Sequence, residues 1–304
     1  MSQNPFSQKV KIYTFSAIAL TLIAVLLRIC NFIFFFDTSV DYFQKNPFHT
    51  GFQILCVLTV GWLLTSLLFI PRHSFSVKAM PAASFASRLT GLICACVSAA
   101  SFFFFRENVT FYFHHAGLYN LLAIFSLLST VYFGFQFIGG VSASYRVLAG
   151  YVTIVWLGLM LCATYLNLYV AMNSPFKITL HMALLGLMLH LLEDARLHTE
   201  RGFRIAYLTY ALIALFNCSI ASLPVLIAFM LQRYHQADYL FYAALSLCFC
   251  AYLATRVCDC YRLLMVTPPS SAEEIAEEKK KREEKNKKKK ISNTKGKGDE
   301  QHVS

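Results

Sequence analysis

The residue types best suited to chemistry crowd into one short stretch between His181 and His198. It holds His181, His190, Glu193, Asp194, Arg196 and His198. On a helix, His190 shares a face with Glu193 and Asp194, at i+3 and i+4, and Asp194 reaches His198 in the same way. Imidazole beside carboxylate can ligate a metal or pass a proton, so His190, Glu193 and Asp194 form a candidate metal set. No HExxH spacing accompanies them and no second ligand-bearing helix is evident. An ion-pair network at a membrane interface is the competing and plainer reading. An enzyme would need His190 and an acid to meet groups from another helix at about 3 Å.

A second set is dispersed. Arg28, Asn167, Asn217 and Pro224 each stand alone in a long apolar run. Ionisable groups in such runs are costly and default to functional hypotheses. Arg28 can snorkel to the headgroups, pair with Asp37, Asp41 or Glu107, or bind an anionic substrate. Asparagine can hydrogen-bond between helices in lipid. Pro224 removes a backbone donor, bends its helix and frees a carbonyl near Ile220. Together the four mark candidate substrate-binding positions.

The elements that must position these residues follow from hydropathy. Of 304 residues, 57% are hydrophobic and 14% charged, against roughly 25% charged in a soluble domain. Mean hydropathy is +0.53. A helix crossing the hydrocarbon needs about 20 apolar residues, and without water the backbone must bond to itself. Eight segments meet that test: Ile12–Phe36, Phe52–Ile70, Leu89–Phe105, Leu118–Ile138, Val147–Tyr169, Ile178–Leu192, Ile205–Leu231 and Leu240–Val257. The fold class expected is an all-α, polytopic transmembrane helix bundle covering residues 1–265. Gly139-Gly140 should end the fourth helix.

Charge orients it. With the N-terminus inside, the inner loops carry Arg72, Lys78, Arg88, Arg146, Arg196, Arg201 and Arg204, and the outer loops Lys45, Arg106, Lys177 and Arg233. The positive-inside rule then places both termini in the cytoplasm of a cell-membrane protein. Phe34–Phe36, Phe102–Phe105, Tyr165, Tyr169, Tyr239 and Phe241 fall at predicted outer ends, where aromatic side chains suit the interface.

Local matches hint at a tandem duplication, with halves 1–140 and 141–265. His115-Ala-Gly-Leu-Tyr119 matches His235-Gln-Ala-Asp-Tyr239, Asn46-Pro-Phe48 matches Ser174-Pro-Phe176, and Cys96-Val-Ser-Ala-Ala-Ser101 matches Cys218-Ser-Ile-Ala-Ser222. Four spans per half would insert in one orientation, around an axis along the membrane normal.

Eight of the ten cysteines lie within spans, where thiols pack as small apolar groups. The CxC pairs, such as Cys258 and Cys260, point to different sides of a helix and cannot clamp one metal. After Pro268-Pro269 the composition shifts. Residues 266–304 read as a charged cytoplasmic tail, partly disordered, with 11 of the 27 basic residues between Lys279 and Lys297. Lys287, Lys288, Lys289 and Lys290 favour anionic inner-leaflet lipids. No aromatic residue interleaves them, so specific nucleic-acid binding is not supported.

No phosphate loop, GxSxG or dinucleotide motif occurs, and no cofactor is implied. The leading expectation is a transporter-like bundle in contact with the lipid bilayer, carrying a weakly polar or lipid-like solute. A non-catalytic sensor or assembly subunit with a protein partner is the alternative. An intramembrane enzyme or metal site around His190 stands third.

Overall fold

The computed structural model describes residues 5–37, 42–44, 46–69, 83–111, 116–167, 174–199, 202–232 and 237–266. The tail lysines Lys287–Lys290, the loop residues Asp41, Lys45, Arg72, Lys78, Arg201 and Arg233, His115 and His235 of the repeat, and Tyr169 lie outside them.

Eight helices are present among the described residues: α1 (Pro5–Phe35), α2 (Pro47–Phe69), α3 (Phe85–Phe111), α4 (Ala116–Ile138), α5 (Ala143–Leu166), α6 (Pro175–His198), α7 (Arg204–Met230) and α8 (Ala237–Val266). Between α1 and α2 a two-residue ribbon pairs β1 (Phe36–Asp37) with β2 (Tyr42–Phe43), antiparallel, with Phe36 opposite Phe43. All eight helices are long and apolar enough to cross a membrane. The chain is a multi-pass membrane protein. The even number of crossings puts Pro5 and Val266 at one end of the bundle, called here the termini end.

Local chemistry sets the helix ends. Gly139 and Gly140 follow α4 with φ of +70° and +65°, left-handed values that glycine adopts without strain. The Ser174 side chain accepts from the Phe176 N–H at 3.3 Å and Pro175 occupies the first turn, so α6 starts there. Lys177 Nζ donates to the carbonyls of Asn167 (2.6 Å) and Tyr165 (3.3 Å), which holds the end of α5 against the start of α6. Inside the helices, hydroxyls bond back one turn, as Thr14 to Val10, Thr153 to Ala149 and Ser222 to Cys218. That bond lets Ser and Thr sit in hydrocarbon.

Six helices close a ring. Each of α3 to α8 packs on the next, and α8 returns to α3. The main core cluster draws on all six: Cys94, Tyr132, Trp156, Leu187, Cys218 and Phe249 represent them in order. Helices α1 and α2 lie outside, against α7. Tyr13 ties them there, its hydroxyl donating to the Leu63 carbonyl at 3.1 Å and lying 3.2 Å from Thr209 Oγ1. Helix α7 is therefore covered on both sides, with 72% of its apolar window buried against 17% for α2. The helices divide as two plus six. α1 packs on α2 as α5 does on α6, and α3 on α4 as α7 does on α8, but α6 packs along α7 whereas α2 and α3 share no comparable contact among the described residues, so the structure does not establish the duplication.

The aromatic residues expected at outer ends gather at the end opposite the termini, and several pack between helices. Phe32, Phe36, Phe43, Phe176 and Tyr239 form one cluster. Phe104 stacks on Phe241 with centroids 3.7 Å apart. Helix α3 runs past its predicted end at Phe105, which puts Asn108 inside the helix, its amide donating to the Phe104 carbonyl at 3.0 Å.

The α6–α7 contact depends on a missing side chain. A Cβ at Gly186 would stand 3.1 Å from the Ala214 Cα and 3.3 Å from Asn217 Nδ2. Backbone cannot yield as a flexible side chain can, and overpacking typically costs about 1–3 kcal/mol. Gly186→Val is expected to lower the melting temperature of the detergent-purified protein. Gly158→Ala, whose Cβ would meet only Met188 Cε at 3.8 Å, should leave it near that of the parent.

Candidate functional site

The last two turns of α6 enter the ring at the termini end. The apolar pattern predicted that this span closes at Leu192; the helix instead continues to His198. Glu193 and Asp194 are each only 2% exposed, packed inside the protein rather than fanning into solvent. The reason lies in partners from other helices, which hydropathy does not register.

Asp194 is held by two of them and by His198 of its own helix. The Tyr132 hydroxyl of α4 donates to its Oδ2 at 3.0 Å. Arg256 Nη2 of α8 stands 3.9 Å from its Oδ1, and His198 Nδ1 lies 3.6 Å from its Oδ2. Arg256 also reaches Asp259 Oδ2 at 3.9 Å and donates from Nε to the Tyr207 hydroxyl of α7 at 3.0 Å. Asp259 in turn accepts from Ser87 Oγ (2.6 Å) and the Ser84 N–H (3.2 Å) at the start of α3. One buried guanidinium thus lies between two buried carboxylates, and the chain of contacts joins α3, α4, α6, α7 and α8. Hydrogen bonds to charged partners are the strong kind, and here they act in a medium of low dielectric.

His190 sits one turn before Asp194 and is fully buried, its ring centroid 4.8 Å from that of Tyr207. Neither ring nitrogen has a hydrogen-bond partner among the described residues, nor does the Tyr252 hydroxyl. Glu193 points elsewhere: it accepts from the Phe203 N–H at 3.1 Å and from Arg196 at 2.9 Å, capping the start of α7. The proposed metal trio of His190, Glu193 and Asp194 therefore does not converge. No group of three His, Cys, Asp or Glu side chains among the described residues could hold a metal ion. Cys258 is exposed and Cys260 buried, as the CxC spacing required.

The dispersed set resolves differently. Arg28 does not snorkel; it is 2% exposed and points into the protein. Its Nη2 donates to the Pro175 carbonyl at 3.3 Å. Its guanidinium carbon lies 4.3, 4.9 and 5.3 Å from the ring centroids of Phe43, Phe52 and Phe32. Phe52 also lines a groove of about 420 Å³ between α2, α6 and α7. Cys56 and Val60 of α2, Thr179 of α6, and Phe216 and Asn217 of α7 line it as well. Asn217 thus lines the groove, and Arg28 adjoins it behind Phe52. Asn167 ends α5 and serves Lys177 instead. Pro224 is buried within an α7 that runs unbroken to Met230, outside the groove lining.

Sequence reasoning missed Tyr132, Tyr207, Arg256 and Asp259. The signal available was Arg256 and Asp259, two opposite charges at i,i+3 where the last apolar run ends. Comparison with protein-family models, with curated proteins and with solved structures returned no match.

Breaking a buried ion pair by removing one partner typically costs about 3–5 kcal/mol, because the other charge stays buried. Asp194→Ala is expected to lower the detergent melting temperature sharply. Adding Arg256→Gln should recover part of the loss. Strictly additive losses in this double-mutant cycle would show that the two side chains are uncoupled.

Proposed function

We propose that this protein is a membrane carrier that holds a lipid-like solute in the lateral groove between α2, α6 and α7. The observation that supports the reading is the groove itself. Its volume of about 420 Å³ falls in the range of small-molecule sites, roughly 300–1,000 Å³. Its walls are almost wholly apolar, with Asn217, Thr179 and Gln53 as isolated polar points. A hydrocarbon chain suits such walls, and the amide of Asn217 supplies one fixed hydrogen-bonding group.

Position supports the same reading. Val57, Ile178 and Met182, all lining residues, are also exposed on the flanks that face lipid. A solute could enter from the bilayer without crossing water. The floor is α7, the most buried helix, and one wall is α2, the least buried. A rigid floor beside a lightly held wall is the arrangement in which displacement of α2 would admit or release a chain.

The experiment is lipid retention. The full chain, purified in mild detergent and washed extensively, is expected to retain about one lipid-like molecule per polypeptide by mass spectrometry. Cys56→Trp, which fills the groove, should abolish retention. Val131→Trp, on the exposed face of α4, should not. Equal retention by both variants would exclude the groove as the binding place.

We further propose that both termini face the cytoplasm of the cell membrane, with Lys287–Lys290 against anionic lipid headgroups. The support is the excess of basic residues on inner loops together with the shared end occupied by Pro5 and Val266. Reporter fusions to the two ends should both read cytoplasmic; an exterior signal from either rejects the assignment.

A further inference from the structure

Arg28 is a buried cation in the membrane-spanning part of α1. No carboxylate among the described residues lies within ion-pair distance of it; the four ion pairs present all lie at the termini end. Its contacts are a carbonyl and three aromatic rings. These dipoles and quadrupoles moderate the charge without cancelling it. The carbonyl belongs to Pro175, at the N-terminus of α6, where the helix dipole adds further positive potential. A buried charge without a counter-charge is among the least favourable arrangements in a protein.

Phe52 stands between Arg28 and the groove. Phe52 carries the guanidinium over its ring and also lines the groove. Cys56, one turn further along α2, lines the groove as well. On the opposite wall, Ile178 and Thr179 line the groove one turn beyond the carbonyl that Arg28 grips. Both walls therefore lead to the same cation. Below it the lining is mostly apolar, with Gln53, Thr179 and Asn217 as its polar points.

We infer that the solute of this groove is an anionic amphiphile, its acyl chain lying between α2, α6 and α7 and its carboxylate or phosphate head paired with Arg28. The inference rests on the groove being the binding place and adds the charge of the ligand. A planar guanidinium suits either head, because both present two oxygens to its paired N–H groups. The aromatic rings around it exclude water, which strengthens the pairing.

The test uses the full-length protein in a neutral detergent and three probes with the same oleoyl chain: oleate, oleoyl lysophosphatidate and uncharged monoolein. Affinities are read by displacement of a fluorescent fatty acid. The parent is expected to bind at least one anion ten-fold or more tighter than monoolein. Preference for oleate assigns the head as a carboxylate, and preference for lysophosphatidate as a phosphate; either supports the inference. Arg28→Gln should bring the anions to the level of monoolein while monoolein binding, the check on folding, is unchanged. Arg28→Lys should keep part of the preference. Equal binding of all three probes by the parent overturns the charge assignment and leaves the groove reading standing, and this arm needs no variant. Binding of none of the probes, or binding unaffected by Cys56→Trp, overturns both.

Discussion

Hydrocarbon offers no hydrogen bonds and almost no dielectric screening, so every polar group carried into it must find its partner inside the protein. Most features of this bundle answer to that constraint. The backbone meets it with eight helices, and Ser and Thr meet it by bonding one turn back along their own helix. The charged residues meet it in two ways. At the termini end Arg256 lies between Asp194 and Asp259, with Tyr207 bonded to Arg256, Tyr132 to Asp194 and Ser87 to Asp259. At the other end Arg28 has rings and a carbonyl but no opposite charge among the described residues. This contrast between the two ends is the ground for proposing that Arg28 pairs with an anionic ligand.

The two-plus-six arrangement gives that contrast its geometry. Closing α3 to α8 into a ring buries Asp194 and Arg256 from all sides, and the residues joined there come from five helices. The network therefore pins the termini end of the ring. Packing α1 and α2 against the outside of α7 leaves a seam between α2 and α6, floored by α7. The groove is that seam. It exists because α2 and α6 are both neighbours of α7 without being close neighbours of each other. Arg28, on the helix behind α2, arrives at its head.

Much of the fold was legible in the amino-acid order. Long apolar runs dictated the number of helices, and Gly139-Gly140 marked an end that the structure places at the same residues, whereas α6 starts at Pro175, ahead of the expected Ile178. The site was legible only in part. Arg28 and Asn217 stood out as polar residues in apolar runs, and both border the groove. His190 and Asp194 stood out as a helical face, and both are buried in the ring. Their roles were not readable, because each depends on a neighbour distant in sequence: Phe43 and Pro175 for Arg28, Tyr132 and Arg256 for Asp194. The hydropathy pattern placed Glu193 and Asp194 in water for the same reason. A window along the chain counts the charge but not the guanidinium or phenol that meets it from another helix.

The sequence by itself determined that this chain crosses a membrane eight times as helices, since that follows from the run of side chains and the backbone's need to bond to itself. It also determined which polar residues are out of place in lipid. Only the tertiary structure decided which of those are neutralised and which are left open, and that α2, α6 and α7 enclose a groove. Helices of similar apolarity can pack on one another in many orders at nearly equal cost. The choice among them is made by small-residue contacts such as Gly186 on Ala214 and by charges meeting across helices, and these are properties of the assembled bundle.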